Sequence, residues 1–208
     1  SYVYRLDEKY WLMMLDSCMC EPVHETGGKL SEETVAWMKT QLEEAKKQGV
    51  TVIPVSHHNL LDESTLYPEE CTIENTKEVT ALLEAYGVPV YLSGHLHLQR
   101  IKKHTSNLNT PGGYGIREIV TSPLPMAQYS ILNWQADVSL SYHTKKVDIA
   151  GWAQRYGEED ENLLNFDAYA DQFLVDVISK QAFKALQSAS KDIKEEMARL
   201  YADMNRDY

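Results

Sequence analysis

The chain has 208 residues, with 20 Lys and Arg against 31 Asp and Glu, for a formal net charge of −11. Such acidity repels polyanions at long range and argues against nucleic acid as a partner; no stretch is long and apolar enough to span a membrane. The length suits one domain, or one domain with an appendage, and three cysteines, an odd number, argue against a disulfide framework.

Residues 2–6 alternate and residues 10–15 are apolar; with Asp7, Glu8 and Lys9 between them they predict a β-hairpin. Asp16 follows as a turn former at a strand end. Cys18-Met19-Cys20, with His24 nearby, reads as a pair of loop thiols, because zinc-binding cysteines are usually spaced by two or more residues. Residues 18–29 form a loop with Gly27 and Gly28. Ser31 is a good N-cap, and Glu32 and Glu33 suit a first helical turn. Val35, Met38, Leu42 and Ala45 share one face, and Gly49 supplies the stop, so an amphipathic helix is predicted there with Trp37 in the core.

Residues 50–55 are an apolar run that enters Ser56-His57-His58-Asn59. Residues 62–74 are acidic and are expected at the rim of a site. Thr72 or Asn75 opens the next helix, Val79, Leu82, Leu83 and Tyr86 form its buried face, and Gly87 ends it. Residues 88–92 read as a buried strand leading straight into Ser93-Gly94-His95-Leu96-His97. Alternating helices and strands gather the strand carboxyl ends on one sheet edge, where ligands collect. Two histidine clusters at equivalent strand ends therefore form a candidate chelating unit, since neutral imidazole is the commonest protein ligand for zinc, iron and similar metals. Gly94 is expected to make the sharp turn.

Gln99 to His104 form a basic cluster that either holds a phosphate or is the solvated part of a strand or loop. Residues 105–115 read as a loop, and residues 116–122, 128–135 and 138–143 as three antiparallel strands that 147–149 extend. His143 is expected at the surface of its strand. Residues 157–161 form an acidic linker. Asn165 then caps a helix with apolar positions Tyr169, Phe173, Leu174, Val177 and Ile178. Phe183, Leu186, Ile193, Met197 and Leu200 continue the pattern, with a break near 188–190. A tail this amphipathic should pack on the domain or on a partner.

Leu15-Asp16-Ser17, Gly28, and Leu30-Ser31-Glu32-Glu33 leading to Trp37, followed by His57-His58 and Gly94-His95-Leu96-His97, resemble the later motifs of the calcineurin-like metallophosphoesterases. The resemblance covers residues 2–132. It implies an α/β fold: the mixed-sheet half of a calcineurin-like α/β sandwich over residues 1–156, followed by an α-helical tail over 157–208. It implies a metal-dependent phosphatase or phosphodiesterase that hydrolyses a phosphoester at a dinuclear centre of Mn, Fe or Zn. The implied metal ligands are His57 and His95 on one ion and His97 on the other, with His58, Asn59 and Arg100 near the substrate. The family often has proline where Asn59 stands.

The family's Asp-x-His, Gly-Asp and Gly-Asn-His motifs do not occur in this chain. The resemblance therefore implies that the bridging aspartate, the asparagine ligand and the leaving-group histidine come from an upstream part of the same domain. On that expectation this chain has partial or no metal occupancy and is inactive, or nearly so, by itself. A homodimer through an open sheet edge or the helical tail is a further expectation. The competing reading is a non-catalytic binding or structural module with a degenerate phosphoesterase-like core. A structural zinc site from His57, His95, His97 and a carboxylate is weaker, because such sites usually recruit cysteine. Substrate and localisation stay open.

Overall fold

The chain opens with the predicted hairpin: β1 (Tyr2–Arg5) pairs antiparallel with β2 (Tyr10–Met14). Asp7 Oδ1 closes its turn by accepting from the backbone N–H groups of Lys9 and Tyr10. The computed structural model describes residues 1–20, 25–61, 71–96, 99–104, 115–122, 127–135, 140–185, 195–197 and 199–200. These divide into two units, Ser1–Thr121 and Ser122–Tyr208.

In the first unit, α1 (Glu32–Gln48) begins and ends as its sequence predicts. Ser31 Oγ accepts from Thr34 N, Gly49 takes the left-handed conformation that closes the helix, and Met38, Leu42 and Ala45 are buried. Next come β3 (Thr51–Val55), α2 (Thr76–Ala85) and β4 (Val90–Ser93). β5 (Arg100–Lys103) and β6 (Arg117–Val120) complete a six-stranded sheet of order β1-β2-β3-β4-β6-β5. Strands β2, β3, β4 and β6 run parallel, and both edge strands are antiparallel to their neighbours. The chain is thus α/β with a mixed sheet. Trp11, Met13, Leu30, Met38, Leu42, Val79, Leu83, Tyr91 and Ile116 form the core. Full burial of a side chain such as Leu or Met contributes about 1.5–3 kcal/mol.

Two expectations need correction, and a third segment takes one of its two readings. Residues 117–120 do not join an antiparallel group with the strands that follow; β6 enters the main sheet beside β4, where Ile119 and Val120 are buried. The segment 99–104, open between a phosphate holder and the solvated part of a strand or loop, is largely strand β5, antiparallel to β6. Residues 147–149 do not extend a strand: Asp148 caps α3 (Ile149–Tyr156) by accepting from Gly151 N, and Gly157 ends that helix in the left-handed conformation.

The second unit holds a separate antiparallel pair, β7 (Gln128–Trp134) and β8 (Leu140–Lys146), followed by α3, α4 (Glu161–Leu164) and α5 (Phe166–Ala185). The shift to acidic composition at Gly157 falls inside this unit. On α5 Ala170 is buried and Leu174, Val175 and Val177 are half-buried, while Tyr169 and Phe173 stay exposed. The expected break near 188–190 lies outside the described residues. No described helix is long and apolar enough to cross a membrane.

Candidate metal centre

β3 and β4 are adjacent and parallel, with Val55 opposite Leu92, so their carboxyl ends finish side by side. Ser56 N donates to Leu92 O at 3.1 Å, and Gly94 N donates to His57 O at 3.1 Å. These bonds carry the pairing one step past the strands and bring the two histidine loops together. His57 Nε2 lies 2.7 Å from His95 Nδ1. The His58 ring centroid is 5.1 Å from that of His57 and 4.8 Å from that of His95. One ligand nitrogen from each of His57, His58 and His95 lies within 4.8 Å of the others. His57 is exposed, His95 half-buried and His58 buried.

The turn after β4 is not made as the sequence suggests. Gly94 has room for a side chain, its nearest would-be neighbour being His57 O at 3.8 Å. The left-handed residue is His95, with φ at 64°. A non-glycine residue rarely adopts that conformation.

His58 is held on both ring nitrogens. Its Nε2 lies 3.0 Å from Thr26 O, a carbonyl that can only accept, and its Nδ1 lies 2.8 Å from Ser17 Oγ. In neutral imidazole these partners place the proton on Nε2 and leave Nδ1 to accept from the serine hydroxyl. Gly28 packs against the ring so closely that a Cβ there would stand 2.3 Å from His58 Cγ. Ser56 Oγ donates to His58 O at 2.5 Å and accepts from Tyr91 Oη at 2.7 Å. Burial pushes the Tyr91 phenol well above its ordinary range, the bond to Ser56 acts the other way, and the nearby Glu118 carboxylate adds to the rise.

Asn59 is fully buried, and its amide donates to Ser93 Oγ at 2.9 Å and Gly94 O at 3.1 Å. In this structure it braces one histidine loop against the other. Arg100 opens β5 opposite Val120 and is half-buried. His97 lies outside the described residues. Sequence reasoning overlooked Glu118 and Thr26 and gave Ser93 no role. The one available signal was a glutamate beside the apolar pair Ile119-Val120.

The donor set suits a cation. Two nitrogens on one tetrahedral zinc-like ion stand about 3.3 Å apart. The 2.7 Å contact between His57 and His95 needs a small opening and the loss of its shared proton to fit. His58 joins such an ion only by giving up Ser17 or Thr26. Imidazole nitrogens favour Zn, Cu, Fe or Ni. No Asp, Glu or Cys joins this cluster among the described residues.

Residues 148–208 match the family model for the C-terminal domain of cyclic nucleotide phosphodiesterase. A solved structure, a dimetal phosphatase from Danio rerio, is similar over 46% of this chain and 27% of its own, with 20% identity and a TM-score of 0.36. The chain therefore spans about a quarter of that protein. No curated protein matches the chain.

Proposed function

We propose that this chain belongs to a metal-dependent phosphoesterase acting on a phosphodiester of the cyclic nucleotide class. In this reading His57 and His95 hold a divalent cation, and His97 is a further ligand of the same centre. The observation that carries it is the convergence of His57, His58 and His95 at the carboxyl ends of two adjacent parallel strands. The match of residues 148–208 to a cyclic nucleotide phosphodiesterase domain supports the choice of substrate class.

A cation there supplies Lewis acidity toward a phosphoryl oxygen and a water molecule. His57 and His95 present their nitrogens from opposite loops and exchange a shared proton for the cation. His58, held between Ser17 and Thr26, walls the centre and keeps the first loop in place. Arg100 pairs with a phosphate oxygen of the substrate in this reading. A neutral imidazole offers one ligand nitrogen and does not bridge two cations, so a dinuclear centre draws bridging oxygen ligands from outside this cluster. This chain is accordingly expected to bind metal and to turn over little substrate by itself.

Elemental analysis of the purified chain, beside His57→Ala and His95→Ala variants, tests the proposal. Metal at partial occupancy, lost in both variants, is expected. A metal-free wild-type chain after dialysis against Zn²⁺ or Mn²⁺ would overturn it. Rapid hydrolysis of 3′,5′-cyclic AMP by the isolated chain would overturn the expected dependence on outside ligands.

A further inference from the structure

Where β6 is buried it is apolar at Ile119 and Val120, yet Glu118 beside them has no exposed surface. Its Oε1 accepts from Leu60 N and from Ser93 Oγ, each at 2.6 Å, and its Oε2 accepts from Leu61 N at 2.7 Å. Leu60 and Leu61 directly follow His57-His58-Asn59, and Ser93 directly precedes Gly94-His95. One carboxylate on a third strand thus grips both histidine loops. The grip continues through Asn59, whose amide donates to the same Ser93 Oγ and to Gly94 O. Gly94 N then closes the ring of bonds onto His57 O.

These three partners of Glu118 all donate, which is the pattern a charged carboxylate satisfies. An apolar residue in its place would leave two buried backbone N–H groups without this acceptor. Gln would keep one acceptor oxygen and turn an NH₂ group toward a backbone N–H.

We infer that Glu118 is a positioning residue for the histidine pair: it sets the separation of His57 and His95. Through that separation it sets the cation affinity of the centre, a consequence that rests on the metal reading above.

The test uses the full chain, ¹⁵N-labelled, with imidazole ¹⁵N–¹H correlation spectra and a Co²⁺ titration followed by visible absorption. Three proteins are compared: wild type, Glu118→Gln and Val79→Ala, the last removing buried volume in α2 with a side chain that makes no hydrogen bond. The wild type should show His57 and His95 as a hydrogen-bonded pair. Glu118→Gln, folded by circular dichroism, should lose that signature and bind Co²⁺ about 10-fold or more weakly. Val79→Ala should lose stability yet keep both properties. Wild-type imidazole spectra and Co²⁺ affinity in Glu118→Gln would overturn the inference, as would equal losses in Val79→Ala. A wild-type chain that takes no Co²⁺ counts against the metal reading alone, since the metal-free spectra still decide the positioning role. Where Glu118→Gln does not fold, Ser93→Ala replaces it under the same expectations, because it removes the link between Glu118 and Asn59.

Discussion

Ser17 Oγ lies 2.8 Å from His58 Nδ1, and both residues are buried. The loop after β2 therefore seats the imidazole that follows β3, with Thr26 taking the other ring nitrogen. Ser17→Ala leaves a buried acceptor unsatisfied and should cost about 1–3 kcal/mol in urea denaturation. Gly28→Ala places a methyl carbon against the ring and should cost a similar amount, about 1–3 kcal/mol, by overpacking. Wild-type stability in both variants would mean that His58 is not seated there.

His95 provides a sharper contrast. Its left-handed backbone costs a non-glycine residue about 1–2 kcal/mol. His95→Gly and His95→Ala both remove the imidazole, but only glycine relieves the strain. The glycine variant should therefore be more stable than the alanine variant by about 1 kcal/mol, a few degrees in melting temperature. Equal melting temperatures would show that position 95 does not need this conformation.

The parts of the molecule that could be read from the sequence are those whose signals are local. Ser31 and Gly49 bracket α1, the alternation of residues 2–6 marks β1, and apolar runs mark β3 and β4. The convergence of His57 and His95 follows from two parallel strands ending together, which helix–strand alternation already implies. The turn at His95 was missed because glycine beside it was the obvious carrier of a left-handed backbone. Glu118 was missed for a different reason: its partners Leu60, Leu61 and Ser93 are remote in sequence, so nothing local explains a carboxylate in a buried strand. α3 was missed because Asp148 reads equally as a strand residue until Gly151 N is seen to need an acceptor.

In the second unit two charged residues should differ in weight. Asp148 Oδ1 accepts from Gly151 N at 2.8 Å as the N-cap of α3. Lys146 pairs with Asp167 at 3.3 Å, and both side chains are largely exposed. Asp148→Ala should cost about 0.5–2 kcal/mol through loss of the cap. Lys146→Ala should change stability by less than about 0.5 kcal/mol, since solvent screens such a pair. Chemical denaturation of the two full-length variants gives the comparison, and the opposite ranking would contradict the capping role.

Tyr91 makes the stability of the fold sensitive to alkali. Burial raises its phenol above the ordinary value, so the native state holds the proton to higher pH than the unfolded chain does. The contribution is complete below the unfolded pKa near 10 and is lost as pH climbs from there toward the folded value. In that window one extra proton in the native state lowers stability by up to about 1.4 kcal/mol per pH unit. Tyr91→Phe removes the titrating group, along with the hydroxyl that donates to Ser56. It should be less stable than wild type at neutral pH and should lose less stability between about pH 9 and pH 11. Other alkaline groups, such as Tyr86, are common to both proteins and cancel in the difference. Urea midpoints measured across that range test this, and parallel curves for the two proteins would mean that Tyr91 ionises as easily folded as unfolded.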